Sequence, residues 1–166
     1  MTQDIESAVR QLLARSADCV WRKDLHGYGA CWASDGEWKI LGQSFQGREA
    51  VKAAWSQFMN PLKAVWQTAQ NPCFEFEATQ GYGRIYLEET LFQPDGSVNC
   101  LRGVYHDTYK IENGAWVFAK RHIDMAYLGP YDLSGKFFGT PDFGPAPRDC
   151  NPNRPASPSL QEAYGQ

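Results

Sequence analysis

The stretch Gly103-Val104-Tyr105-His106-Asp107-Thr108-Tyr109-Lys110-Ile111-Glu112-Asn113-Gly114-Ala115-Trp116-Val117-Phe118 reads as two long strands joined by a two-residue turn. Asn-Gly between strand-forming runs is the strongest short-range hairpin signal, because both residues tolerate positive φ. A two-residue loop also sets a register: Glu112 faces Ala115, Ile111 faces Trp116 and Tyr109 faces Phe118. Continued without a bulge, it puts Asp107 opposite Lys120 and Tyr105 opposite His122, and directly opposed residues share a face. Tyr105, Asp107, Lys120 and His122 are therefore expected as one cluster, with His106 and Arg121 on the other side. A slip of one residue would invert that assignment.

Working outward, the strands extend over Val98 to Ile111 and Trp116 to Tyr127. Tyr82 to Phe92 is another strand, ended by the turn Pro94-Asp95-Gly96. Val65 to Ala78 is a further one, interrupted at Asn71-Pro72 by a bulge or an edge. The first third reads differently. Thr2 can cap a helix carrying Ile5, Ala8, Val9, Leu12, Leu13 and Val20, and Asp24 a short second one through Leu25, Tyr28 and Trp32. Ser34-Asp35-Gly36 ends that helix, and Glu37 to Leu41 alternates like a strand. Gly47 opens a third helix with Val51, Trp55, Phe58 and Met59 on one stripe, stopped at Asn60-Pro61. The expected architecture is α+β: a curved, mostly antiparallel sheet folded around N-terminal helices. It forms one domain over residues 1–138. Six of the ten prolines fall between Pro141 and Pro158, so 139–166 is expected to lack regular structure, as a disordered tail or an arm over a neighbour. Tyr127 to Pro130 and Phe137-Phe138 are expected to close a pocket or pack on another subunit.

A chain of 166 residues is long enough for one sizeable core. A formal charge of −3 gives no electrostatic footprint for nucleic acid. The start lacks the features of a secretory signal, and no apolar run reaches membrane-spanning length. Five widely spaced cysteines without a CxxC argue against a disulfide framework or zinc site and suit a reducing cytoplasm. The three histidines show no ligand spacing, so no metal is expected. Aromatic residues make up 14% of the chain, enough to line a pocket for a ring-bearing ligand as well as to build a core.

One polar residue stands out. In Gly83-Arg84-Ile85-Tyr86-Leu87-Glu88-Glu89-Thr90-Leu91, side-chain alternation puts Glu89 on one face with Ile85, Leu87 and Leu91. A carboxylate there is expensive unless partnered or neutralised, which makes it a candidate acid–base group. The plainer reading is a structural ion pair or a wet rim. His122 titrates near neutrality and is a candidate proton carrier. Tyr105 is a candidate donor to a developing oxygen anion or a leaving hydroxyl. Asp107 and Lys120 read as a cross-strand pair that orients these neighbours, or as an ordinary surface pair. Tyr28 and Trp32 read first as core, Asp18 and Asp35 as solvated, and Arg84, Glu88 and Arg121 as exposed or interface positions. No phosphate-binding loop is present, and the cysteines have no adjacent base.

The helices followed by a curved sheet, with Asp35-Gly36-Glu37-Trp38, Gly83 to Glu89 and Gly103 to Tyr109 followed by Asn113-Gly114-Ala115-Trp116, resemble the SnoaL-like branch of the nuclear transport factor 2-like superfamily. The resemblance covers residues 5–138. It implies a cone-shaped α+β barrel with a deep apolar pocket, catalysis without metal or organic cofactor, and assembly as a homodimer or homotrimer. The family includes scytalone dehydratase, bile-acid 7α-dehydratases, hexachlorocyclohexane dehydrochlorinase, ketosteroid isomerases and polyketide cyclases, and a lyase is the class expected here. The chain departs from that pattern: the usual catalytic aspartate falls at Trp21, a tyrosine at Ser16 and the histidine at Gln67. The Asp–His dyad is thus absent. Two positions carry over: Glu89 matches a pocket carboxylate and Tyr105 a pocket asparagine. The expected catalytic set is Glu89, Tyr105 and His122, with Trp21, Tyr28, Gln67, Leu87, Asp107 and Lys120 binding an aromatic or cyclic small molecule. The expected reaction is dehydration, or quinone-methide-assisted loss of formaldehyde from a lignin-type diol. A non-catalytic ligand-binding or assembly module and a ketosteroid-type isomerase stand as alternatives.

Overall fold

The structure, a computed structural model, describes residues 2–139 and 143–150, with side chains from Asp4 onward. Three helices, α1 (Thr2–Arg22), α2 (Leu25–Ala30) and α3 (Arg48–Met59), pack on seven strands: β1 (Trp32–Ile40), β2 (Gln43–Gln46), β3 (Ala64–Phe76), β4 (Gln80–Phe92), β5 (Val98–Glu112), β6 (Ala115–Pro130) and β7 (Lys136–Phe137). The buried stripe of α1, with Val9, Leu12, Leu13, Ser16, Cys19 and Val20, recurs every three or four residues and faces the sheet. A cap at Thr2 lies outside the described side chains. Asp24 caps α2, its carboxylate accepting from the Gly27 N–H at 2.8 Å. Gly47 opens α3 with φ +86°.

The second helix is shorter than expected. It ends at Ala30, and Trp32 begins β1 rather than closing a helical stripe. The reason is aromatic packing: Trp32 and Trp38 meet Tyr28 and each other, Tyr28 stacks on Trp55 at 4.8 Å, and Trp32 packs on Phe118 of β6. Leu41 and Gly42, both at positive φ, turn the chain into β2, a strand with no alternating pattern to announce it.

The sheet runs β2-β1-β6-β5-β4-β3, with β7 added to the end of β6. All pairs are antiparallel except β1 with β6, and the curved sheet does not close on itself. Its inner face, against the helices, holds the core. The expected bulge in β3 lies between Gln70 and Cys73, where Asn71 takes φ +46°. The Asn113-Gly114 turn has both residues at positive φ, as the hairpin required. Beyond it the pairing holds only as far as Tyr109↔Phe118. Thr108 then pairs with Lys120, so Ala119 is an extra residue and the register shifts by one.

Tyr127 to Pro130 and Phe137 pack on their own chain: β7 pairs with β6, and the Tyr127 and Phe137 rings lie 4.8 Å apart. Residues 143–150 lie over the outer face of the same sheet, and Pro147–Asp149 forms a 3₁₀ turn where no regular structure was expected. Arg84 of β4 pins this strap by donating to the carbonyls of Phe143, Gly144 and Ala146 at 3.3, 2.9 and 3.0 Å. The rest of the proline-rich segment lies outside the described residues.

Candidate active site

The antiparallel ladders place the polar residues of the inner face with no further assumption. Gln67 pairs with Glu89 across β3–β4, and Ile85 pairs with Tyr105 across β4–β5. Because β4 is unbulged, Ile85, Leu87, Glu89 and Leu91 stay on one side, as alternation required. The Gln67 amide donates from Nε2 to Glu89 Oε1 at 2.6 Å and to the Tyr105 hydroxyl oxygen at 3.3 Å. The second oxygen of Glu89 has no hydrogen-bond partner among the described residues. Since the amide donates to Tyr105, the phenol's own proton is left to point elsewhere.

Behind Tyr105 lies a cation that sequence reasoning put on the other face. Arg121, buried, donates in a fork to Asp107, from Nε to Oδ1 at 2.8 Å and from the terminal nitrogen to Oδ2 at 2.7 Å. Its guanidinium is held between the Tyr105 and Phe118 rings, 4.0 and 3.9 Å from their centroids. Tyr109 donates to Asp107 Oδ2 at 2.9 Å. Gly83 makes room for it, since a Cβ there would stand 2.5 Å from the Tyr109 hydroxyl. A planar fork matches a carboxylate in two bonds, which is why an arginine can be desolvated here.

These surroundings set the acidities. Burial pushes the Glu89 carboxyl up from the usual range, opposed by the Gln67 hydrogen bond and the Arg121 charge. Burial, then the nearby Glu89 charge, lifts the Tyr105 phenol well above its ordinary value, so it stays protonated. Tyr28 is raised by burial too, and it feels both Glu89 and Arg121. For Arg121, burial pulls downward but the Asp107 charge and hydrogen bonds win, and it remains charged. The inner face therefore combines a carboxyl that burial makes harder to ionise, a phenol that stays protonated and a permanent cation one ring away.

Other expected members lie elsewhere, and the one-residue bulge explains most of it. Tyr105 faces Ile123, Asp107 faces Arg121, and His106 faces His122. The expected cluster is thereby split. Tyr105 and Asp107 face the core, whereas Lys120 and His122 lie on the outer face. Lys120 sits 3.4 Å from Glu37, not against Asp107, and His122 is 3.7 Å from Asp124. Trp21 is also misplaced by the sequence argument: it is 52% exposed at the end of α1, tilted against Trp66, which is exposed too. Tyr28 and Leu87 are buried on the inner side. No group of three or more His, Cys, Asp or Glu side chains suited to a metal ion occurs among the described residues.

With this geometry in place, the relatives can be compared. The SnoaL-like domain matches residues 2–122 of the chain, which is most of its length. This chain belongs to the SnoaL-like domain family. Among solved structures, a type 2 hexachlorocyclohexane dehydrochlorinase superposes with a TM-score of 0.73 at 22% identity, covering 84% of this chain and 96% of that one. A putative scytalone dehydratase from Novosphingobium aromaticivorans DSM 12444 gives 0.75 at 16% identity, covering 85% and 97%. A type 3 dehydrochlorinase from Novosphingobium barchaimii LL02 gives 0.72 at 20% identity, covering 84% and 97%. At these identities the likeness concerns the SnoaL-like fold itself. No curated protein matches the chain.

Proposed function

We propose that this SnoaL-like protein is a cofactor-independent lyase acting on a hydroxylated, ring-bearing small molecule. The observation that carries the reading is the Glu89–Gln67–Tyr105 arrangement: a carboxyl raised by burial, with one oxygen held and the other open, beside a phenol whose proton is undirected. A passive pocket gains nothing from that desolvation. In a dehydration, the protonated Glu89 carboxyl gives its proton to the departing hydroxyl. The C–O bond breaks, water leaves as Tyr105 donates to the departing oxygen, and the Glu89 carboxylate takes the proton of the adjacent carbon, whose C–H electron pair forms the alkene while the acid is restored. Where the substrate is a phenolic benzylic alcohol, electrons from the para phenolate expel that hydroxyl and leave a quinone methide. The resulting Glu89 carboxylate then takes the proton of a neighbouring hydroxymethyl group. Its C–C bond breaks, formaldehyde leaves, and the electron pair forms the alkene and restores the phenolate. Asp107, neutralised by Arg121, serves by fixing that cation behind Tyr105 rather than by moving protons. Tyr28 and Leu87 form apolar wall.

The reading includes cytoplasmic location and assembly as a homodimer or homotrimer, which native mass spectrometry tests. Among the described residues, no helix is long and apolar enough to cross a membrane. The activity test is mass-resolved: a panel of phenolic benzylic alcohols and lignin-type diols is incubated with the protein, and products are read for loss of water or of water plus formaldehyde. Wild type is expected to produce one of these losses and Glu89→Gln to reduce it about 100-fold or more. A product of unchanged mass would mean isomerisation, and an unchanged rate in Glu89→Gln would reject the assignment.

A further inference from the structure

Tyr28 contributes more to the inner face than a wall. It is 3% exposed, and its ring is fixed on three sides, stacked on Trp55 at 4.8 Å and met at an angle by Trp32 at 6.1 Å and Trp38 at 6.4 Å. The C–O bond lies in the ring plane, so a ring held this way also fixes where the hydroxyl sits. The Trp32 indole N–H lies against that oxygen and favours its charged form, though it is buried and makes no well-aligned hydrogen bond. An indole can only donate. The Tyr28 proton is therefore left without an acceptor among the described residues. Tyr105 repeats the pattern, with the Gln67 amide donating to its oxygen at 3.3 Å and its own proton pointing elsewhere.

Packed rings tie the two phenols to one cation. Trp32 lies 5.3 Å from Phe118, and the Arg121 guanidinium lies 3.9 Å from Phe118 and 4.0 Å from Tyr105. Both hydroxyls feel the Arg121 charge, which favours an anion at either, and both feel Glu89, which opposes one when ionised. Buried donors nearly always have acceptors. Two phenols with donors behind them and protons outward are thus arranged for oxygens that this chain does not supply. We infer that the Tyr28 hydroxyl, backed by the Trp32 indole, is the specificity-determining donor to a phenolate oxygen of the substrate, while Glu89 and Tyr105 serve the hydroxyl that departs. The inference rests on the lyase reading of this face and deepens it. A free phenol, bound with its proton left to solvent, becomes the requirement, because an O-alkylated ring has no phenolate electrons with which to expel the hydroxyl.

The test titrates the full-length protein with 4-nitrophenol and, separately, with 4-nitroanisole, its O-methyl ether. Neither probe has a hydroxyl to lose by dehydration, and 4-nitrophenol reports its ionisation by colour. Wild type is expected to bind 4-nitrophenol saturably as the yellow anion, at a pH where the free probe is still partly neutral. It should bind the ether about tenfold more weakly or worse. Tyr28→Phe removes one oxygen and keeps the ring. It should weaken 4-nitrophenol binding about tenfold or more, shift the bound spectrum toward the neutral form and leave the ether unaffected. Its ligand-free melting temperature should equal or exceed that of wild type, since no protein acceptor is lost. A hydroxyl with a purely structural role would instead lower that temperature and leave the spectrum alone. Glu89→Gln should bind the anion as tightly as wild type or more so, because the neighbouring charge is gone. That arm separates the two readings, since a failed lyase assignment leaves the binding result standing. An ether bound as tightly as the phenol, unchanged anion binding in Tyr28→Phe, or lost binding in Glu89→Gln overturns the inference.

Discussion

Glu89 is the residue on which the chemistry turns, and its environment makes a prediction about stability as well as rate. Its carboxyl binds a proton more tightly in the folded state than in the unfolded chain, because burial disfavours the charge. The folded protein thus loses stability as pH rises from the ordinary glutamate range through the raised value, and at neutral pH the buried charge works against folding. Glu89→Gln keeps a partner for Gln67 and removes the charge. It should therefore raise neutral-pH stability by on the order of 1 kcal/mol, about 2–4 °C in Tm for a domain of this size. The gain should vanish in acid, where the wild-type carboxyl is protonated in both states, and thermal melts across pH check both signs. Tyr105→Phe removes the donor while keeping the ring over Arg121, so kcat should fall about 10²-fold or more with little change in melting. His122→Ala, on the far face, should leave turnover close to wild type. The face of Glu89 was legible in the sequence because alternation on unbulged β4 is a local property, whereas Tyr105 was reached through the hairpin register and Gln67 only through the family resemblance. His122 was not, because a single extra residue in a neighbouring strand reverses its face.

The hairpin of β5 and β6 shows what an element adds to a list of residues. The Asn113-Gly114 turn fixes pairing near it, and the expected partners hold through Tyr109↔Phe118. Past that point, the bulge at Ala119 rotates Arg121 inward and sends His122 outward. No residue in the run announces this, since Ala119 is unremarkable and bulges answer to curvature rather than to composition. The outcome is the buried Asp107–Arg121 pair, whose energetics are one-sided. Removing one partner strands a desolvated charge: Arg121→Leu should cost about 3–5 kcal/mol in urea unfolding. Replacing both, as in Asp107→Leu/Arg121→Met, should recover most of that loss. Equal destabilisation in the single and double variants would show that the fork contributes little beyond the volume it fills. The short α2 is a related lesson: a helical stripe through Trp32 was a sound local reading, overridden by aromatic packing with Tyr28, Trp38 and Phe118.

At the scale of the whole molecule, the sheet has two covered faces. One packs on helices and presents the Glu89 group. The other is held under the Arg84-pinned strap and presents His106, His122 and Lys120. The α+β architecture was readable from the change of period between the first third and the remainder, and from three turn signals. The placement of the strap was not, since a proline-rich run states what it cannot form and says little about where it lies. The two faces share the same strands, and β5 and β6 alternate between them except at their bulges, which decide the side to which a residue beyond them belongs.

Everything in the functional account requires the Glu89 carboxyl to be hard to ionise. The direct measurement is a pH titration of ¹³C-labelled glutamate carboxyl signals by NMR, with Glu89→Gln used for assignment. The account predicts one carboxyl, absent from that variant, titrating clearly above the ordinary glutamate value of about 4.3. A Glu89 signal titrating at or below that value would contradict it.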